Sequence, residues 1–169
     1  ISASDYSLNW ATSYSPAGPF SAQDNPNLPV GISPFANPNA PDLMTNPSYA
    51  IDKDIIEVLQ EGLSHNPEIR FIAVPWSAPI RWKSGSSPSF TGGTLDPQYE
   101  DDYADYFADF VQFYAGHGID IWAISIQNEP SHEGNTPSMR MEPAQAIRMA
   151  IQLDKEFTAR GLETKIIAF

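Results

Sequence analysis

The sequence predicts an α/β fold, about half of a (β/α)8 barrel, and three observations predict it. Strands and helices alternate along the chain, each strand-to-helix junction lacks a glycine-rich phosphate turn, and the 169 residues hold too few strands for a complete barrel. Alternating units specify either an open doubly wound sheet or a barrel, and without the phosphate turn the barrel is favoured. A full barrel takes about 250 residues, so residues 1–169 are expected to supply only about half of one as a single partial domain. The remaining strands would come from a continuation of the chain or from a second chain, and the half by itself is expected to associate or aggregate through its unpaired edge.

Ile1 to Ser4 has the look of a strand remnant. The stretch from Tyr6 to Asn46 holds many of the 16 prolines and is too long for a simple connection, which points to a binding loop, a lid or disorder. Asn46-Pro47 opens a helix of about four turns, with Ile51, Ile55, Ile56, Leu59 and Leu63 on one face. Ile69 to Val74 is an apolar strand that runs into Pro75-Trp76-Ser77-Ala78-Pro79. A Gly/Ser-rich loop from Ser84 to Gly93 follows.

The segment Pro97 to Gly116 sets Tyr99, Tyr103, Tyr106, Phe107, Phe110, Val111 and Tyr114 at helical spacing, an aromatic stripe suited to packing on a sheet. Glu100, Asp101, Asp102, Asp105 and Asp109 lie on the same helix. Four of them fall in its first turns, where the helix dipole favours negative charge, and a solvated face is the expected role. Ile119 to Gln127 is rich in β-branched residues and bounded by Gly118 and Pro130, as expected of a strand buried on both faces. After a loop from Ser131 to Arg140, a helix opens near Glu142-Pro143. Its expected inner face is Ala146, Ile147, Ala150, Ile151, Leu153 and Phe157, with Gly161 as the C′ residue. Thr164 to Phe169 begins another strand.

Composition excludes several function classes. A formal charge of −12, with nine Lys and Arg against 21 Asp and Glu, argues against nucleic acid and anionic membrane surfaces as partners. There is no cysteine, hence neither a disulfide framework nor a thiolate metal site. His65, His117 and His132 show no ligand spacing, so no metal or other cofactor is expected, and no stretch is apolar enough to span a bilayer.

The chemistry centres on Asn128-Glu129-Pro130. A carboxylate just past the C-terminal end of a barrel strand, preceded by an amide and followed by a chain-turning proline, is placed for acid or base work. A loop glutamate that caps the next helix, or is simply solvated, is the competing interpretation of Glu129.

Ser2-Ala3-Ser4-Asp5-Tyr6-Ser7, Pro75-Trp76-Ser77-Ala78-Pro79-Ile80-Arg81-Trp82-Lys83, Gly92-Gly93-Thr94-Leu95, Tyr103-Ala104-Asp105-Tyr106-Phe107 and Gln127-Asn128-Glu129-Pro130 together resemble glycoside hydrolase family 30. That family includes glucosylceramidases, β-1,6-glucanases, β-xylosidases and glucuronoxylanases. Asn-Glu-Pro alone is shared across a large group of barrels, whereas its combination with the Trp-Ser-x-Pro-x-x-Trp-Lys segment is specific.

The resemblance implies that Glu129 is the general acid/base and that Asn128 hydrogen-bonds the sugar 2-hydroxyl. It implies that Asp5 binds remote hydroxyls in the subsite before the scissile bond and that Trp76 stacks on the pyranose. An ordinary turn role for Asp5 and a core role for Trp76 stand as alternatives. Trp82 is expected to be structural, Trp10 and Trp122 to pack, and His132 to be the one histidine near the leaving-group side. The resemblance also implies that residues 1–169 are a partial (β/α)8 catalytic domain lacking the first strand, the later strands and the family's accessory β-domain, with the nucleophile on a later strand outside them, so that this chain supplies one carboxylate of a retaining pair. The implied substrate is a β-linked glycoside or polysaccharide, with a β-glucosidic bond preferred over xylan, and the implied location is secreted or extracellular. A non-catalytic carbohydrate-binding half-barrel and a purely structural half are the readings from other classes.

Overall fold

The computed structural model describes residues 50–79, 82–84, 91–134 and 137–168, with side chains from Ile56 onward. The predicted first strand, the loop from Tyr6 to Asn46, Asp5, Trp10 and the side chains of Ile51 and Ile55 lie outside the described residues. The elements are α1 (Ala50–His65), β1 (Phe71–Ala73), β2 (Lys83–Ser84), β3 (Thr94–Leu95), a 3-10 turn (Pro97–Tyr99), α2 (Glu100–Gly116), β4 (Ile121–Ser125), α3 (Pro143–Arg160) and β5 (Lys165–Ile167).

β1, β4 and β5 form a parallel sheet in that order, with Ala73 opposite Ile124 and Ile124 opposite Ile166. Each new strand is added beside the previous one without the reversal of order that marks a doubly wound sheet, which is the arrangement of consecutive barrel strands. β2 and β3 pair antiparallel as a small hairpin that leaves the end of β1 and returns to α2. This hairpin brackets the Gly/Ser-rich segment that the sequence suggested only as a loop.

The aromatic stripe of α2 supplies much of the core. Tyr103, Phe107 and Phe110 are fully buried, and the rings of Tyr103 and Phe107 pack at a 42° tilt with centroids 4.4 Å apart. Trp82 is buried among Tyr99, Tyr103 and Tyr106, as its structural role predicts. On α1, Ile56 is buried and Leu59 and Leu63 pack on the same cluster. The sheet is not covered on both faces by the described residues, since Ile72 is 41% and Trp122 36% exposed. Instead of a core contact, Trp122 carries the Arg70 guanidinium 5.2 Å from its ring centroid, a cation–π geometry.

The inner face of α3 corrects the sequence expectation. Gln145, Met149, Leu153 and Phe157 are buried at four-residue steps, whereas Ile147 and Ile151 are 63% and 51% exposed. A glutamine leads this stripe because its Nε2 donates both to the Leu95 carbonyl and to Glu100 Oε1, each at 2.9 Å. Pro143 occupies the first turn, and Gly161 ends the helix in the left-handed region at φ 66°, letting the Leu162 N–H reach back to the Phe157 carbonyl at 2.8 Å.

The acidic residues of α2 are not merely a solvated face. Glu100 and Asp109 are buried, and the helix lies parallel to α3 along a row of polar contacts. Arg148 grips Glu100 at 2.7 Å, Gln152 donates to Asp101, and Arg160 reaches both Asp105 and Asp109 while also binding Glu156.

Candidate active site

Parallel strands deliver their C-terminal ends to one edge of the sheet, and three of the predicted residues, Trp76, Asn128 and Glu129, arrive there on two adjacent strands. Beyond the Ala73–Ile124 pair the chain continues on β1 to Pro75-Trp76 and on β4 to Gln127-Asn128-Glu129. The two extensions stay joined. The Asn128 N–H donates to the Pro75 carbonyl at 2.8 Å, and Gln127 Nε2 donates to the Trp76 carbonyl at 2.9 Å and to the Asn128 carbonyl at 3.0 Å. Gln127 is itself buried, and its amide clamps the backbone of both strand ends.

Glu129 is exposed and has φ 42°, alone among the described non-glycine residues in the positive-φ region. A left-handed conformation is unfavourable for glutamate, more so directly before a proline, and of order 1–3 kcal/mol is typical for such strain. The surrounding bonds hold it: the His132 N–H donates to the Glu129 carbonyl at 2.8 Å, and the Met141 N–H donates to the Pro130 carbonyl at 2.9 Å. This tight turn swings the carboxylate off the strand into solvent instead of into the core. The Asn128 side-chain amide faces it, with Nδ2 3.4 Å from Glu129 Oε2.

Trp76 is half-buried, neither a core tryptophan like Trp82 nor a free surface ring. His132 is exposed in the turn after Glu129 and Glu133 is exposed next to it. Asp5 lies outside the described residues. A separate concavity at the opposite, N-terminal edge of the sheet is lined by Glu68, Arg70, Asp120, Trp122 and Lys165. It is remote from Glu129, and the chemistry of parallel barrels does not reside at that end.

Two features of the site escaped the sequence analysis, Gln127 and the buried ammonium of Lys83. Lys83 Nζ donates to Ser77 Oγ and to the Ser138 carbonyl, both at 2.9 Å. Burial pushes its pKa down from 10.5 to about 8, while the negative charge of Glu133 acts the other way. The presence of Lys83 in the Trp-Ser-x-Pro-x-x-Trp-Lys segment was the available signal. Among the described residues no three acidic or histidine side chains gather as a metal site, and no helix is long and apolar enough to cross a membrane.

Comparison with known proteins adds to this geometry. A family model described as the glycosyl hydrolase family 30 TIM-barrel domain matches residues 48–168. A Caenorhabditis elegans protein provisionally called glucosylceramidase 2 is 34% identical over 90 residues, which is 52% of this chain and 17% of that protein. An endo-1,6-β-D-glucanase of Aspergillus fumigatus is 31% identical over 123 residues, 63% of this chain and 25% of the enzyme. Among solved structures, the endo-β-1,6-glucanase BT3312 superposes with a TM-score of 0.68 at 39% identity, covering 73% of this chain and 28% of that one. The chain thus spans less than a third of the length of the relatives it matches.

Proposed function

The chain belongs to glycosyl hydrolase family 30, and from that premise we propose that it carries the acid/base carboxylate of a retaining β-glycosidase acting on β-glucosidic bonds. The observation that supports this reading most is that Glu129 projects from a strained turn at the end of β4, a strand end hydrogen-bonded to the segment that carries the half-buried Trp76. Glu129 donates its proton to the glycosidic oxygen as the bond from that oxygen to the anomeric carbon breaks. A second carboxylate, from sequence outside residues 1–169, attacks the anomeric carbon and forms a glycosyl ester. Glu129, now ionised, takes a proton from water as the water displaces that ester and releases the sugar.

Asn128 presents its amide to the sugar 2-hydroxyl, Trp76 offers an aromatic wall to the pyranose, and Asp5 binds hydroxyls remote from the bond. The preference for a β-glucosidic bond is supported by the names of the relatives at 31–39% identity, a glucosylceramidase and endo-1,6-β-glucanases. A polysaccharide or glycolipid of that kind is met outside the cytoplasm, which is the basis for proposing secretion.

The test uses the full-length enzyme containing this chain, assayed on β-1,6-glucan, glucosylceramide and xylan and then on aryl and alkyl β-glucosides. Glu129→Gln should abolish turnover of alkyl glucosides, whose leaving groups need protonation. It should spare the first step for aryl glucosides with acidic phenols. Equal loss of that step on both would remove Glu129 from the acid role, and cleavage of xylan alone would move the substrate to the xylanase branch.

A further inference from the structure

Lys83 stands where three segments of the active edge meet. It sits on β2, its ammonium donates to Ser77 Oγ in the segment after β1, and it donates also to the Ser138 carbonyl in the segment that returns from Glu129 to α3. Each contact is continued by a neighbour. Ser77 Oγ donates to the Ala78 carbonyl at 3.0 Å, Ser138 Oγ accepts from the Gly92 N–H at 2.9 Å, and the Arg140 N–H donates to the Gly93 carbonyl at 2.9 Å. Ser77 directly follows Trp76, and the Ser138 segment is joined to the Glu129 turn through the Met141–Pro130 bond.

We propose that Lys83 is a positioning residue of the sugar subsite, fixing the Trp76 segment against the Glu129 turn through Ser77 and Ser138. The inference rests on the functional reading of Trp76 and Glu129 given above. A buried ammonium is a poor choice for stability alone, because an apolar side chain of similar length would avoid the cost of desolvating the charge. What it supplies instead is direction. Three donors on one small group can hold two acceptors on different segments at fixed angles, which an apolar contact does not do. The ammonium also remains charged at neutral pH despite its lowered pKa.

The experiment compares Lys83→Met, Ser77→Ala and the double variant in the full-length enzyme. Lys83→Met should lower kcat/KM by roughly tenfold, mainly through KM and equally on aryl and alkyl glucosides, as expected when a binding wall shifts and the acid is intact. The double variant should be no worse than Lys83→Met. Amide hydrogen exchange of Gly92 and Asn128 should quicken in Lys83→Met. Kinetic constants of folded Lys83→Met within twofold of wild type, or additive losses in the double variant, would overturn the proposal. If Lys83→Met does not fold, Ser77→Ala alone carries the test, with the same KM shift expected and an unchanged KM overturning it. The exchange measurement reads the tie between segments without any substrate. Quickened exchange in an enzyme that cleaves no β-glycoside would therefore uphold the tie and refute the functional reading, and unchanged exchange in an active enzyme would do the reverse.

Discussion

Asn128 donates its backbone N–H to the carbonyl of Pro75 across 2.8 Å, continuing the bonding between β1 and β4 past the last regular strand pair. This bond turns two sequence motifs separated by some fifty residues into one surface. A segment ending in Trp76 and a segment ending in Glu129 have no local reason to meet. They meet because parallel pairing carries both to the same edge and because Gln127 fastens them there.

Gln127→Leu tests that fastening. The substitution keeps the approximate volume, removes the amide that donates to the Trp76 and Asn128 carbonyls, and leaves both part-buried acceptors with one fewer donor. A loss of stability on the order of 1–3 kcal/mol is expected. Activity of the full-length enzyme should fall further than the stability change explains, and a denaturant melt alongside kinetics on one β-glucoside separates the two.

Asp5→Ala and Trp76→Ala test the subsite itself. Loss of charge-assisted hydrogen bonds at Asp5 should lower kcat/KM by about 30- to 150-fold, equivalent to about 2–3 kcal/mol. Trp76→Ala should raise the dissociation constant of a sugar inhibitor by removing its stacking surface. Unchanged melting temperatures are expected in both. Retained inhibitor affinity in both variants would dismiss the subsite, and a large drop in melting temperature for Asp5→Ala would return that residue to a turn role.

Gly93→Ala probes the hairpin that carries Lys83. Gly93 has φ 73°, and a Cβ there would sit 3.1 Å from the Ser84 carbonyl oxygen, a backbone atom of the paired strand, and 3.4 Å from Lys83 Cε. Neither the backbone conformation nor the space suits alanine. A destabilisation of roughly 1–2 kcal/mol is expected from the φ penalty alone. Thermal melts of this variant beside Gly116→Ala, whose Cβ would meet nothing within 4 Å, check the assignment.

Among the described residues the order of the parallel strands and the helices was legible, because β-branched runs and an aromatic 3.6-residue stripe are local signals, whereas the two-residue strands of the β2–β3 hairpin carry none. Glu129, Asn128 and Trp76 were legible as motif residues at strand ends. The errors share one cause, which is that periodicity records polarity and not partners. Ile147 and Ile151 fit an apolar stripe on α3, yet Gln145 and Met149 are buried in their place, because Gln145 finds acceptors at Leu95 and Glu100 on distant elements. Glu100 and Asp109 read as solvated for the same reason, their arginines lying 48 and 51 residues away. Lys83 and Gln127 went unassigned because a buried polar residue acquires its role only when the segments it joins are brought together.

Glu100 gives the last test, a pH dependence with a definite sign. Its carboxylate is held below the ordinary carboxylate range first by the hydrogen bond from Arg148, then by Gln145 and by the charge of Arg148, with desolvation opposing them. A carboxyl whose folded pKa is depressed contributes stability above its ordinary pKa and loses it as pH falls through that value toward the folded one. The contribution is therefore full at neutral pH and disappears on acidification below about pH 4.5. Glu100→Gln should lower stability at neutral pH, since Arg148 loses its charged acceptor, and the half-exposed position of Arg148 screens the pair and keeps the loss modest. The same variant should show a shallower loss of stability between neutral pH and about pH 3 than the wild type. Denaturant unfolding at both pH values measures this directly. Parallel curves for the two proteins would mean that Glu100 is as protonatable in the fold as in the unfolded chain, and that the ion pair with Arg148 contributes nothing to holding the helices in register.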